Sequence, residues 1–172
     1  MGEVRVEAAS AALLPQVAEM ASRAFLASPV FAGVDEARYV PDRILASLKL
    51  GECLVAHHEG VMAGCVCLFP PKPDSPCDAF QSRPQIGLLA VDPAHQGTGV
   101  ARLLLDSAET RAIAAGHHEV ALSVTERSPE LVALYRRRGY AVVGSFVWPG
   151  ARDPSHILVK SVGKPRAGRP EK

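Results

Sequence analysis

The stretch Gln96-Gly97-Thr98-Gly99-Val100-Ala101 carries the most distinctive chemistry in the sequence. It follows the apolar run "QIGLLAV" and the pair Asp92-Pro93, and it leads into "VARLLLDSAETRAIA", whose apolar spacing is that of a helix. Glycine weakens a helix interior, so Gly97 and Gly99 at the first turn need another reason to be there. The first N–H groups of a helix have no intrahelical acceptor, and the helix dipole favours negative charge at that end. A strand, a short turn and a glycine-bearing helix start thus make an anion site, with phosphate as the natural ligand. A nucleoside triphosphate loop needs Gly-x-x-x-x-Gly-Lys-Ser/Thr, and no Lys stands here. The dinucleotide pattern starts correctly at Gly97 and Gly99, then meets Arg102 where a third small residue belongs. Taken alone, the loop is also readable as two glycines easing a tight strand-to-helix turn.

The elements around this loop follow from periodicity and punctuation. "RVEAAS" alternates as a first strand, and Ser10 stands as a cap for a helix carrying Leu13, Val17, Met20 and Ala24 to about Ser28. "DEARYVPDRILASLKLG" is a second helical region restarted at Pro41 and stopped by Gly51. "CLVAHH" and "VMAGCVCLF" form a hairpin about Glu59-Gly60. The proline-rich segment Pro70 to Pro84 is a loop, mobile or lying over a site. After "QIGLLAV", the helix from about Gly99 to Ala115 sets Val100, Leu104, Ala108 and Ala112 on one side and Arg102, Asp106 and Glu109 on the other. "EVALSVT" is a strand, "PELVALYRRRG" a helix, and "YAVVGSFVW" and "HILVKSV" are the closing strands. The order predicts an α/β fold, with a mixed sheet of about seven strands, part parallel and part antiparallel, and helices on both faces. Residues 1–162 are expected to form one domain, and 163–172 a disordered basic tail.

The 172 residues carry 19 Lys and Arg against 18 Asp and Glu, a formal charge of +1, so no global field points to nucleic acid or to a membrane surface. The run Arg136-Arg137-Arg138 fans out at helical spacing and reads as solvated surface. No apolar segment is long enough to span a bilayer, and "MGEVRVEAAS" lacks a signal core, so a cytoplasmic location is expected. Cys53, Cys65, Cys67 and Cys77 show no Cys-x-x-Cys spacing and read as buried hydrophobes; no metal is expected.

At Gln96 to Ala101 the chain resembles the GNAT superfamily of N-acetyltransferases, whose acyl-CoA signature is Gln/Arg-x-x-Gly-x-Gly/Ala. The preceding "LLAVDP" and the downstream "ALYRRRGY", from Ala133 to Tyr140, resemble two further family segments, in the right order on the predicted elements. The resemblance implies that the mixed sheet is mostly antiparallel. It implies transfer of an acetyl group from acetyl-CoA to a primary amine of a small molecule or peptide, by direct attack in a ternary complex. It also implies that backbone groups of Leu89, Ala90 and Val91 pair with the pantetheine arm. The N–H groups from Gly97 through Thr98, Gly99, Val100 and Ala101 to Arg102 would hold the pyrophosphate, with Gln96 beside them. Arg102 is either a charge-assisted contact or a solvated helix residue. A homodimer is compatible with the resemblance.

Acyl transfer from a thioester needs a neutral amine and a proton for the departing thiolate. An alkyl amine has a pKa of about 10, so a base is usually required, whereas the thiol lies near about 8.5 and a hydroxyl suffices to protonate it. By resemblance that hydroxyl is Tyr135, on a helix face shared with Leu131 and Leu134; the alternative is a core tyrosine bonded to backbone. Two departures stand out. Gln85 occupies the place where many relatives carry a basic Glu, leaving Glu126, His57 and His58 as candidates. Ser128 stands where relatives commonly have Asn, and either bonds the coenzyme or caps the helix that Pro129 begins. Trp148 lines the acceptor pocket or packs the sheet. The competing readings are a non-catalytic acyl-CoA-binding module and an unrelated nucleotide-binding fold.

Overall fold

Residues 53–56 of the second strand are buried without a break, and they divide cleanly between the two sides of the sheet: Leu54 and Ala56 on one, Cys53 and Val55 on the other. A strand buried on both faces needs helices on both faces. The computed structural model, whose described residues are 2–31 and 36–163, supplies them. Its strands are β1 (Val4–Ala8), β2 (Glu52–His58), β3 (Val61–Phe69), β4 (Gln85–Val91), β5 (Glu119–Thr125), β6 (Ala141–Phe146) and β7 (Ser155–Ser161). They form one seven-stranded sheet in the order β1-β2-β3-β4-β5-β7-β6. Every pairing is antiparallel except β4 with β5. Helices α1 (Leu14–Ala27) and α2 (Pro41–Leu48) cover one face, and α3 (Val100–Ala114) and α4 (Pro129–Arg137) the other. Element order and fold class are as the sequence predicts.

The local causes are legible, with some corrections. Ser10 makes no side-chain cap; α1 is entered through a 3-10 turn, Ala11–Leu13, and Pro15 in its first turn. The Pro70–Pro84 segment is not loose. Lys72 N–H donates to the Phe80 carbonyl at 2.9 Å, Gln81 Nε2 to the Ser75 carbonyl at 2.9 Å, and Arg83 pairs with Glu119 at 2.9 Å. The basic tail falls, beyond Gly163, outside the described residues.

The feature that shapes the site is in β4. Leu88 has φ 51°, and the β3–β4 register slips between Cys65 and Cys67, so that Leu88 and Leu89 together oppose one residue. One extra residue reverses the alternation beyond it. Ile86 belongs to the core beneath α3, but Leu88 and Ala90 turn to the α1–α2 side, and Leu89 and Val91 return to the α3 side. Pairing between β4 and β5 is confined to Gln85 with Ala121. The sheet therefore opens between these two strands toward their C-terminal ends.

Past the bulge, β3 and β4 run close together, and a Cβ at Gly64 would stand 2.7 Å from the Ala90 carbonyl and 3.0 Å from Val100. Gly64→Ala is expected to cost about 1–3 kcal/mol through overpacking, lowering the melting temperature by roughly 2–4 °C per kcal/mol. Thermal denaturation of the variant checks this.

Candidate active site

Three elements converge where the sheet opens. The first is the turn from β4 into α3. Asp92 caps a short 3-10 turn, Pro93–His95, its carboxylate accepting from the Ala94 N–H at 3.0 Å and meeting Arg23 at 3.4 Å. The His95 carbonyl accepts from Thr98 Oγ1, while His95 Nδ1 lies 3.1 Å from His58 Nδ1. Gly97 and Gly99 follow with φ 77° and 84°, so both occupy the left-handed region that favours glycine, and Gly99 is the N-cap of α3. A Cβ built at either meets no atom within 4 Å. The glycines thus serve the turn's backbone geometry, and the surface above them is open. Val100, Ala101 and Arg102 form the first turn, where N–H groups lack intrahelical acceptors. The Arg102 and Gln96 side chains are exposed.

The second element is the far edge of β4. Asp92 N–H donates to the Ala63 carbonyl at 2.8 Å, and the Ala90 carbonyl also lies on the β3 side. Strand alternation then turns the peptide groups of Leu89 and Val91 toward the opening.

The third is α4, whose N-cap is Ser128. Its side chain is buried and makes no capping hydrogen bond. Tyr135 is 8% exposed and lines the cavity with Leu131 one turn before it; Leu134 turns to solvent. Among the described residues no group hydrogen-bonds the Tyr135 hydroxyl, so the core-tyrosine alternative lacks its backbone acceptor. Burial pushes the Tyr135 pKa up to about 12, against a smaller lowering by the Arg138 charge, so the phenol is protonated at neutral pH.

Two of these elements, β4 through Gln85 to Leu89 and α4 through Leu131 and Tyr135, border a cavity of about 810 Å³; the glycine turn lies outside its lining. Its walls include Phe25, Phe31 and Tyr39 on one side and Phe80 and Trp148 on another. Trp148 stacks on Phe80 at 5.6 Å, meets Phe146 edge-on at 4.9 Å, and also lines the cavity. Gln85 lines it as well. The three candidate bases do not. Glu126 accepts from Ser145 Oγ at 2.7 Å, His57 lies 3.6 Å from Glu7, and His58 stands against His95 behind the turn. Sequence reading placed them near the ends of β2 and β5 without knowing which way each side chain faces.

Two further residues differ from expectation. Glu109 is no solvated helix residue: its side chain is 12% exposed and bonds Tyr140 and Lys160, both at 2.8 Å. Arg138 is likewise drawn inward, pairing with Asp106 at 2.6 Å, while Arg136 and Arg137 are exposed. Among the described residues, no group of three or more His, Cys, Asp or Glu side chains is placed to hold a metal, and no helix is long and apolar enough to cross a membrane.

The chain belongs to the Acetyltransferase (GNAT) family, whose model matches residues 15–140. Among solved structures it is similar to yncA of Salmonella typhimurium, an acetyltransferase solved with its cofactor acetyl-CoA, at 21% identity, TM-score 0.70, over 98% of this chain and 99% of that one. It is also similar to the ribosomal-protein-S18-alanine N-acetyltransferase of Escherichia coli, at 17% identity, TM-score 0.69, over 97% and 99% of the two chains. A spermidine N-acetyltransferase chimera of Vibrio cholerae SpeG and hSSAT gives 16% identity, TM-score 0.66, over 92% and 95%. Among curated proteins no sequence is significantly similar to this one.

Proposed function

We propose that the protein transfers an acetyl group from acetyl-CoA to a primary amine of a small molecule or peptide. The observation that carries this reading is the open β4 edge ending in the glycine turn, which fits a ligand made of an amide-bearing arm and a pyrophosphate. Leu89 and Val91 pair with the arm as an added strand would, and the Ala90 peptide stays with β3. The N–H groups from Gly97 to Arg102 hold the pyrophosphate, the Gln96 side chain closes the turn, and Ser128 bonds the coenzyme from the α4 side. Acetyl-CoA supplies an activated acyl group and a stabilised thiolate leaving group. Tyr135, protonated at neutral pH and facing the cavity, delivers a proton or hydrogen bond to the sulfur. The amine approaches from the aromatic side of the cavity. The S18 and spermidine enzymes show how far acceptors differ on this fold, and here the acceptor class is a primary amine in the broad sense.

Gln85 in the place of a basic Glu favours a second reading, an acyl-CoA-binding module without turnover. Thermal unfolding with acetyl-CoA, CoA, ATP and NAD in parallel tests the first step. Acetyl-CoA at about a hundredfold its Kd is expected to add roughly 2.7 kcal/mol of stability, and ATP and NAD little. Thiol release with an amine library then separates enzyme from binding module. No shift with either CoA compound at millimolar concentration overturns both readings.

A further inference from the structure

Glu109 lies ten residues past Gly99 on α3, about 15 Å along the helix at 1.5 Å per residue, too far to touch the anion site. Its carboxylate nevertheless joins three other elements to α3. Oε1 accepts from the Tyr140 hydroxyl at 2.8 Å at the start of β6, and Oε2 from Lys160 Nζ at 2.8 Å on β7. Arg138, just past α4, lies 3.6 Å from Oε1 and reaches Asp106, one turn earlier on α3. Lys160 also stands over the Tyr140 ring, 5.4 Å from its centre.

The connection runs on to the site. The Tyr140 ring packs edge-on against the Tyr135 ring, with centroids 5.5 Å apart and planes at 75°. The Tyr135 carbonyl accepts from both the Arg138 N–H, at 3.0 Å, and the Tyr140 N–H, at 3.1 Å. Arg138 is held by its pairing with Asp106 even though its Nε is buried without a hydrogen-bond partner. This cluster is partly buried, and such ionic clusters are a weak source of stability, since well-packed apolar residues often do as well. Here the cluster holds one arrangement of four elements.

We propose that Glu109 is a positioning residue for acetyl transfer. By clasping the Arg138–Tyr140 end of α4 and Lys160 to α3, it sets the Tyr135 hydroxyl relative to the phosphate-binding turn. The inference rests on the acetyltransferase reading above. Glu109 itself touches neither substrate.

The test is a double-mutant cycle. Glu109→Asp keeps the charge and withdraws it by one methylene; Tyr140→Phe, which removes only the hydroxyl, serves beside it should Glu109→Asp fold poorly. Either variant is expected to lower kcat by at least about tenfold, with KM for acetyl-CoA within about twofold, and to change kcat by less than about twofold when Tyr135 is already Phe. Equal losses in both backgrounds, or a lower melting temperature with kcat unchanged, overturn the proposal. A second readout needs no turnover. With 3-fluorotyrosine at position 135, the ¹⁹F resonance is expected to move in Glu109→Asp and Tyr140→Phe, and an unmoved resonance overturns the proposal. If the unaltered protein releases no CoA with any amine, the acetyltransferase reading fails, and the fluorine shift still decides whether Glu109 places Tyr135.

Discussion

Tyr135→Phe is expected to lower kcat by about 100- to 1,000-fold while leaving acetyl-CoA affinity within about twofold. The ring stays, so its packing against Tyr140 and Leu131 is kept, and only the proton donor is lost. Stopped-flow or steady-state thiol release, alongside calorimetric titration of acetyl-CoA, separates the two quantities. Unchanged kcat removes Tyr135 from the mechanism. The deficit is expected to be flat from pH 6 to 9, because the Tyr135 pKa, raised by burial to about 12, keeps the hydroxyl protonated throughout. The same shift has a stability consequence of definite sign. A folded-state pKa above the ordinary value of about 10 gives stability that is complete below pH 10 and lost as pH rises through 12. The phenylalanine variant therefore loses less stability across that alkaline window than the parent.

The second large effect lies at the glycine turn. Gly99→Val is expected to weaken acetyl-CoA binding at least about a hundredfold, or about 2.7 kcal/mol, while costing the free protein about 1–2 kcal/mol. With φ at 84°, this position is disfavoured for any L side chain and most for a β-branched one. An isopropyl group would also stand in the open space above the turn. The signature is a protein that still unfolds cooperatively but no longer gains stability from acetyl-CoA. Retained affinity removes the phosphate from this turn.

Element order, hairpin, the glycine turn at the start of α3 and sheet class were all legible, because each rests on local signals: apolar periodicity, Pro and Gly punctuation, and helix-end chemistry. Side-chain direction was less so. Glu109 shares a helix with exposed Arg102, and spacing assigned both to the side away from the apolar residues; only the arrival of Tyr140 and Lys160, from 31 and 51 residues away in sequence, turns it into a part-buried junction. Arg138 was hidden in a run of three arginines for the same reason. The bulge at Leu88 left no mark in "QIGLLAV", since an apolar run on a strand buried on both faces carries no alternation to interrupt. The aromatic walls of the cavity come from α1, the stretch between α1 and α2, the Pro70–Pro84 segment and the connection after β6, which no spacing rule brings together. Which residue takes the amine proton is likewise a question of facing, and Glu126, His57 and His58 all face elsewhere.

The four cysteines bear on the fate of the acetyl group itself. A thioester passes its acyl group to any reachable thiolate, and here all four sulfurs are buried, with none among the residues lining the cavity. Burial pushes the Cys53 pKa up to about 11 and Cys67 to about 12, and raises Cys65 as well, so these three thiols carry little thiolate while the chain is folded. The cavity lining thus offers no thiol to carry the cysteine-bound acetyl group that a ping-pong route through sulfur requires. Every thiol that appears in solution while the folded protein turns over is then the coenzyme's own.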